Sequence, residues 1–121
     1  MEVVAVLGAS SDPNRYSFKA IELLREYGHR PIPVTPKEKE VLGYQTVASV
    51  KDLIQERVDT LTVYVNPAIS DKYTDEIVAL KPKRVIFNPG AENPKLEQAL
   101  SLAGIEFENA CTLVLLRTGQ Y

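Results

Sequence analysis

The chain has 121 residues, of which 45% are apolar and 25% charged, the proportions of one soluble globular domain with a core of its own. A net charge of -2 argues against a bulk nucleic-acid or membrane-surface binder, which would carry a basic face. A single cysteine excludes an intrachain disulfide and suits a reducing setting. Val3 to Leu7 is a β-branched run, read as a buried strand. Tyr16 to Tyr27 spaces Phe18, Ile21 and Leu24 as a helix face, with Ser17 the expected N-cap and Gly28 the stop. Arg30 to Thr35 is a second strand, and the alternating Pro31 and Pro33 place it near a sheet edge. Lys37 to Gln45 is expected as a charged loop, and Ser49 as the cap of a short helix, Val50 to Glu56. Thr60 to Val65 reads as the third strand. Ser70 to Leu80 follows as a helix capped at Ser70, with Tyr73, Ile77 and Leu80 on one face. Arg84 to Phe87 is the fourth strand. Pro94 to Ala103 is a helix with proline in its first turn, ended by Gly104. Ile105 to Phe107 is a short fifth strand. Cys111 to Leu116 is apolar, and its periodicity leaves strand and buried helix both open.

Strands alternating with helices across short loops imply an α/β architecture. The expectation is a Rossmann-like, doubly wound parallel sheet of about five strands in a three-layer sandwich. No linker or repeat divides the sequence, so residues 1–121 are read as a single domain. In such sheets ligands bind at the carboxyl ends of the strands, which directs attention to four loops.

The first loop runs Gly8-Ala9-Ser10-Ser11-Asp12-Pro13-Asn14-Arg15-Tyr16-Ser17. Its hydroxyls, Arg15 and the helix N-terminus behind it suit a pyrophosphate. A plain strand-to-helix turn accounts for it about as well, because a one-glycine loop is a weak motif. The second loop, Val34-Thr35-Pro36-Lys37, discriminates better. An NAD-binding domain places an acid at the end of the second strand, where it accepts from ribose hydroxyls. Lys37 there favours a phosphorylated ribose, as in NADP or coenzyme A, while Lys39 reads as part of a solvated charged loop. The third and fourth loops, Val65-Asn66-Pro67-Ala68 and Asn88-Pro89-Gly90-Ala91-Glu92-Asn93, both end a strand in Asn-Pro. Turn chemistry accounts for Asn66. Gly90 is more suggestive, since it bares backbone amides at the same sheet edge as Gly8 and Lys37.

Elsewhere the sequence offers little chemistry. His29, the sole histidine, precedes the second strand at the end away from the crevice and reads as a surface residue. Cys111 reads as a small buried hydrophobe. No cluster has metal-ligand spacing, so no metal is expected. No pair of carboxylates stands out as acid and base.

Taken as a set, GASSDPNRYS after the first strand, PIPVTPK after the second, NPA after the third and NPGAEN after the fourth form a recognisable pattern. With Ala103-Gly104-Ile105 and Cys111, the pattern resembles the small single-domain CoA-binding proteins. Their fold is that of the N-terminal CoA-binding domain of the succinyl-CoA synthetase alpha subunit. The resemblance covers nearly the whole chain. It implies that Gly8, Ala9, Ser10, Arg15 and Ser17 hold the pyrophosphate of coenzyme A. It implies Lys37 near the ADP phosphates, with Thr35 and Pro36 against the nucleotide. Asn66 and Pro67 would border the pantetheine path, and Asn88, Pro89 and Gly90 would line the same crevice. The synthetase also uses a phosphorylated histidine from a second domain, which is not expected here, so the resemblance implies binding without ligase activity.

The expected function is therefore binding of coenzyme A or an acyl-CoA, without catalysis. The alternative is a small NADP-dependent oxidoreductase or NADP-binding protein, against which stands the absence of a substrate domain. The expected partner is a small-molecule nucleotide, with a homodimer as an admissible assembly and neither nucleic acid nor membrane. The first residues lack signal-peptide features, and no apolar run approaches the about 20 residues that span a bilayer. A cytoplasmic location is expected.

Overall fold

The computed structural model describes residues 1–121. In chain order the elements are β1 (Val3–Leu7), α1 (Tyr16–Glu26), β2 (Arg30–Val34), β3 (Glu40–Val41), β4 (Tyr44–Gln45) and a 3₁₀ turn at Val50–Leu53. There follow β5 (Thr60–Val63), α2 (Pro67–Ser70), a 3₁₀ turn at Asp71–Tyr73 and α3 (Thr74–Leu80). The last four are β6 (Arg84–Phe87), α4 (Pro94–Leu102), β7 (Glu106–Asn109) and α5 (Thr112–Arg117). Five strands form one parallel sheet in the order β2-β1-β5-β6-β7. The order reverses between β1 and β5, and the loops leaving those two strands diverge to open a crevice at their carboxyl ends.

Side chains alternate across the sheet. Ala5, Leu7, Leu61, Val63, Val85 and Phe87 point to one face and join Ile77, Leu96 and Leu100 of the helices in a cluster of 16 buried residues. Val4 and Val6 point the other way, into a cluster of 7 with Ile21 and Leu24 of α1 and Leu116 of α5. Helices thus cover both faces, as the alternation of elements requires. The second face is partly polar. Thr60 and Thr62 are in register with Val4 and Val6, and both are fully buried. Thr62 and Thr112 share a hydroxyl–hydroxyl bond of 2.8 Å. Asn88 donates to the Thr62 hydroxyl at 2.6 Å and accepts from the Thr112 amide at 2.8 Å. This seam fastens α5 to the sheet with its buried groups paired.

β2 is an edge strand, as its prolines foretell. Arg30 donates inward to Glu2 and Thr35 donates outward to Val47, each at 2.9 Å. Pro31 and Pro33 share the outward parity of Thr35, so the positions without an N–H are those that face away from β1.

Several boundaries differ from expectation. Lys37 to Gln45 is not an open loop: Glu40–Val41 pairs with Tyr44–Gln45 as a small hairpin. Leu42 and Gly43 turn it at φ +51° and +82°, and a leucine in that conformation gives no turn signal in sequence. Ser17 is not the cap of α1. Arg15 holds the N-cap position, because Asp12 spends its backbone and side chain on a turn of its own, accepting from the Arg15 and Asn14 amides. The single helix expected over Ser70–Leu80 is instead three pieces, α2, a 3₁₀ turn at Asp71–Tyr73 and α3, and the cap is Asn66, which accepts from the Ile69 amide at the start of α2. The segment expected as a helix at Val50–Glu56 is one 3₁₀ turn, and the Ser49 hydroxyl donates to Glu76 instead of capping it. The fifth strand runs Glu106–Asn109, and the apolar segment after it is helix α5. His29 is half-buried: its Nδ1 accepts from the Glu2 amide at 3.0 Å and its ring packs on Tyr121. No helix is long and apolar enough to cross a membrane.

Candidate functional site

The crevice at the reversal of strand order encloses about 580 Å³, within the range of small-molecule sites. Gly8, Ala9, Ser10, Arg15 and Ser17 line one side of it. Thr35, Pro36 and Lys37 line the side beyond β2, and Asn66, Pro89 and Gly90 close it from β5 and β6. The structure therefore brings together residues from all four loops. Pro67 and Asn88 lie outside the lining. Asn88 is 2% exposed and committed to Thr62, Val63 and Thr112. Pro67 opens α2, and its carbonyl accepts from Asn93 and Ser70.

Gly8 sits at φ +90°. A Cβ there would stand 2.7 Å from Val65 Cγ1 and 3.3 Å from the Tyr64 carbonyl carbon. The close approach that this glycine permits is that of the β5 end. Its amide and that of Ala9 both donate to the Val34 carbonyl, at 3.0 and 3.3 Å, so β1 and β2 are tied together at the floor of the crevice.

Above this floor stands the N-terminus of α1. The Tyr16, Ser17 and Phe18 amides donate no hydrogen bond within the chain, and Arg15 supplies no side-chain cap. In α2 and α4 the side chains of Asn66 and Asn93 fill that place. Ser17 is 4% exposed, lines the crevice, and its hydroxyl is not among the bonded side chains. The result is a set of unspent donors at the positive end of a helix dipole. The Arg15 guanidinium is 3.9 Å from Asp12 with both side chains largely exposed, a weak pair. Across the crevice, the Lys37 amide donates to Thr35 Oγ1 at 3.2 Å. Its ammonium belongs to none of the ion pairs of the fold.

Sequence reasoning missed the apolar wall. Tyr64, Val65, Ile69 and Tyr73 line the crevice beside the β5 end. Tyr73 was legible as a helix-face residue, but its direction depends on the turns at residues 67–73. The Tyr64 hydroxyl is buried without a partner. Burial holds this phenol well above its ordinary range, against a smaller opposing pull from Thr112. Sequence reasoning also missed Glu38, which lines the crevice and whose carboxylate reaches the first loop, accepting from the Ser11 amide at 2.7 Å and from the Ser11 hydroxyl.

Known proteins share this fold. A crystal structure of an uncharacterized protein superposes with a TM-score of 0.90 at 44% identity, covering 100% of this chain and 98% of that one. A Thermus thermophilus protein designated cell-free ID.343 gives a TM-score of 0.89 at 36% identity, over 99% of this chain and 90% of that one. Among curated proteins, the alpha subunit of the ADP-forming acetate–CoA ligase II of Pyrococcus furiosus is 39% identical over 51 residues. That stretch is 41% of this chain and only 11% of the ligase subunit. The model of the CoA binding domain family matches residues 2–117. The chain belongs to the CoA binding domain family.

Proposed function

We propose that this protein binds coenzyme A or a CoA thioester in the crevice between the β1 and β5 loops, and that no chemical step is assigned to its own residues. One observation carries the reading. The open N-terminus of α1, with the unbonded Ser17 hydroxyl, faces an unpaired Lys37 across one cavity. A diphosphate accepts from helix N-terminal amides and from a hydroxyl without displacing any existing bond. A second phosphate on the ribose then meets Lys37, whose charge no carboxylate neutralises. The pantetheine arm follows the apolar wall of Tyr64, Ile69 and Tyr73, which suits its alkyl and amide chain. Membership of the family supports the ligand class.

Isothermal titration against CoA, acetyl-CoA, NADP and NAD tests the reading. CoA is expected to bind, and Lys37→Ala to weaken it about tenfold, the loss of one charge-assisted phosphate contact. Heat with NADP and none with CoA at high micromolar concentration would overturn it in favour of a phosphorylated dinucleotide.

A further inference from the structure

Glu38 is the one carboxylate among the residues that line the crevice, beside the cations of Arg15 and Lys37. It follows Lys37 directly in sequence, and a free carboxylate there has an ammonium within easy reach. It does not pair with it. Both carboxylate oxygens are engaged across the mouth of the crevice by Ser11, one by the amide at 2.7 Å and the other by the hydroxyl. The backbone behind Glu38 is fixed as well. Thr46, the residue after the small hairpin, donates its hydroxyl to the Glu38 carbonyl at 2.5 Å and its amide to the Lys39 carbonyl at 3.0 Å. The hairpin thus presents the Glu38 side chain to the first loop, and Lys37 remains without an ion pair.

We propose that Ser11 and Glu38 form a charge-sequestering clasp, a positioning device that holds the crevice's carboxylate away from Lys37 and so reserves the lysine for a ligand phosphate. The inference rests on the reading of the crevice as a CoA site. Its physical content is electrostatic. A carboxylate released from Ser11 would neutralise the Lys37 ammonium and repel an incoming phosphate, and both effects fall on the phosphate that Lys37 meets. A purely structural tie between the two loops would instead affect every ligand of the crevice alike.

The test is titration of wild type, Ser11→Ala, Glu38→Gln and the double variant with CoA and with 3′-dephospho-CoA, with thermal melts to confirm folding. Ser11→Ala removes the hydroxyl bond and keeps the amide bond to the other oxygen, so it loosens the carboxylate and is expected to weaken CoA about threefold while leaving 3′-dephospho-CoA unchanged. In the double variant the loosened side chain carries no charge, so most of the CoA affinity returns. Equal weakening of both ligands by Ser11→Ala, or no recovery in the double variant, would overturn the clasp while leaving the site intact. Wild type that binds both ligands equally would also overturn it, since Lys37 then meets no ribose phosphate. Wild type that binds neither would remove the CoA reading itself, and the clasp with it.

Discussion

Gly8 has no good replacement. A side chain at φ +90° costs about 1–2 kcal/mol for the conformation alone, and the 2.7 Å contact with Val65 Cγ1 adds to it. Gly8→Ala is expected to lower stability by about 2–4 kcal/mol in urea unfolding. Adding Val65→Ala should recover only part of this, because it removes the clashing methyl and leaves the strained φ. Full recovery would mean that backbone conformation contributes nothing. This residue also shows where reading a sequence stops. That a glycine follows the first strand was visible, but the side chain it makes room for, Val65, lies 57 positions away, just past the end of β5, and spacing along the chain does not contain that contact.

Two asparagines show the same limit among the helices. Both begin an Asn-Pro pair, and both cap a helix: Asn66 accepts from the Ile69 amide and Asn93 from the Leu96 amide, each at 3.1 Å. Only Asn93 does more. Its Nδ2 donates to the Ser70 hydroxyl and to Asp71, each at 2.8 Å, so it joins the start of α4 to the end of α2. Asn66→Ala should therefore cost about 1 kcal/mol, the loss of an exposed cap. Asn93→Ala should cost about 2–3 kcal/mol, because it also leaves the buried Ser70 hydroxyl without that donor. Equal costs, measured by chemical denaturation, would show that the link between the two helices is energetically idle. The periodic helices, α1 and α4, were legible to within a residue or two, since Ile21, Leu24, Leu96 and Leu100 mark their buried faces. The hairpin at residues 40–45 was not. Its strands are two residues long, too short to show alternation, and its only turn glycine follows a leucine.

The sheet as a whole was predictable because its alternation of β-branched runs and amphipathic helices permits few topologies. The crevice was predictable as a location for the same reason, and its polar loops were legible from glycine, serine and lysine at strand ends. The apolar wall was not, because which side chains meet there follows from strand order. At the opposite, amino-terminal end of the sheet, Asp59 gathers three strands. Its carboxylate accepts from the Val3 amide at 2.8 Å, its carbonyl accepts from the Arg84 amide at 3.1 Å, and Lys83 lies 3.2 Å from it. The Val3 bond is the main reason its carboxyl is held below the ordinary value of 3.8, with Lys83 assisting against the cost of burial. A carboxyl lowered on folding stabilises the fold fully above its unfolded value. That contribution disappears as pH falls through 3.8 and on through the lower folded value. Asp59→Asn should thus flatten the fall in stability on the acid side, in urea midpoints measured from neutral pH down to about pH 2. An unchanged acid limb would assign the acid sensitivity to other carboxylates.

The prolines of β2 bear on how this molecule behaves in company. A bare strand edge is a template on which another chain can add itself, since it presents unpaired donors and acceptors in a row. At Pro31 and Pro33 the donors are missing from the outward side, and next to them Val47 already takes the edge, donating to the Pro33 carbonyl at 3.0 Å. The far edge, β7, exposes Glu106 and Glu108, which would face their own kind if two copies met there in register. Growth of the sheet is therefore opposed at one side by residues that cannot donate and at the other by charge, chiefly that of Glu106, since Glu108 is paired with Arg84. Both edges of the sheet thus carry features that oppose the edge-to-edge polymerisation to which open sheets are prone.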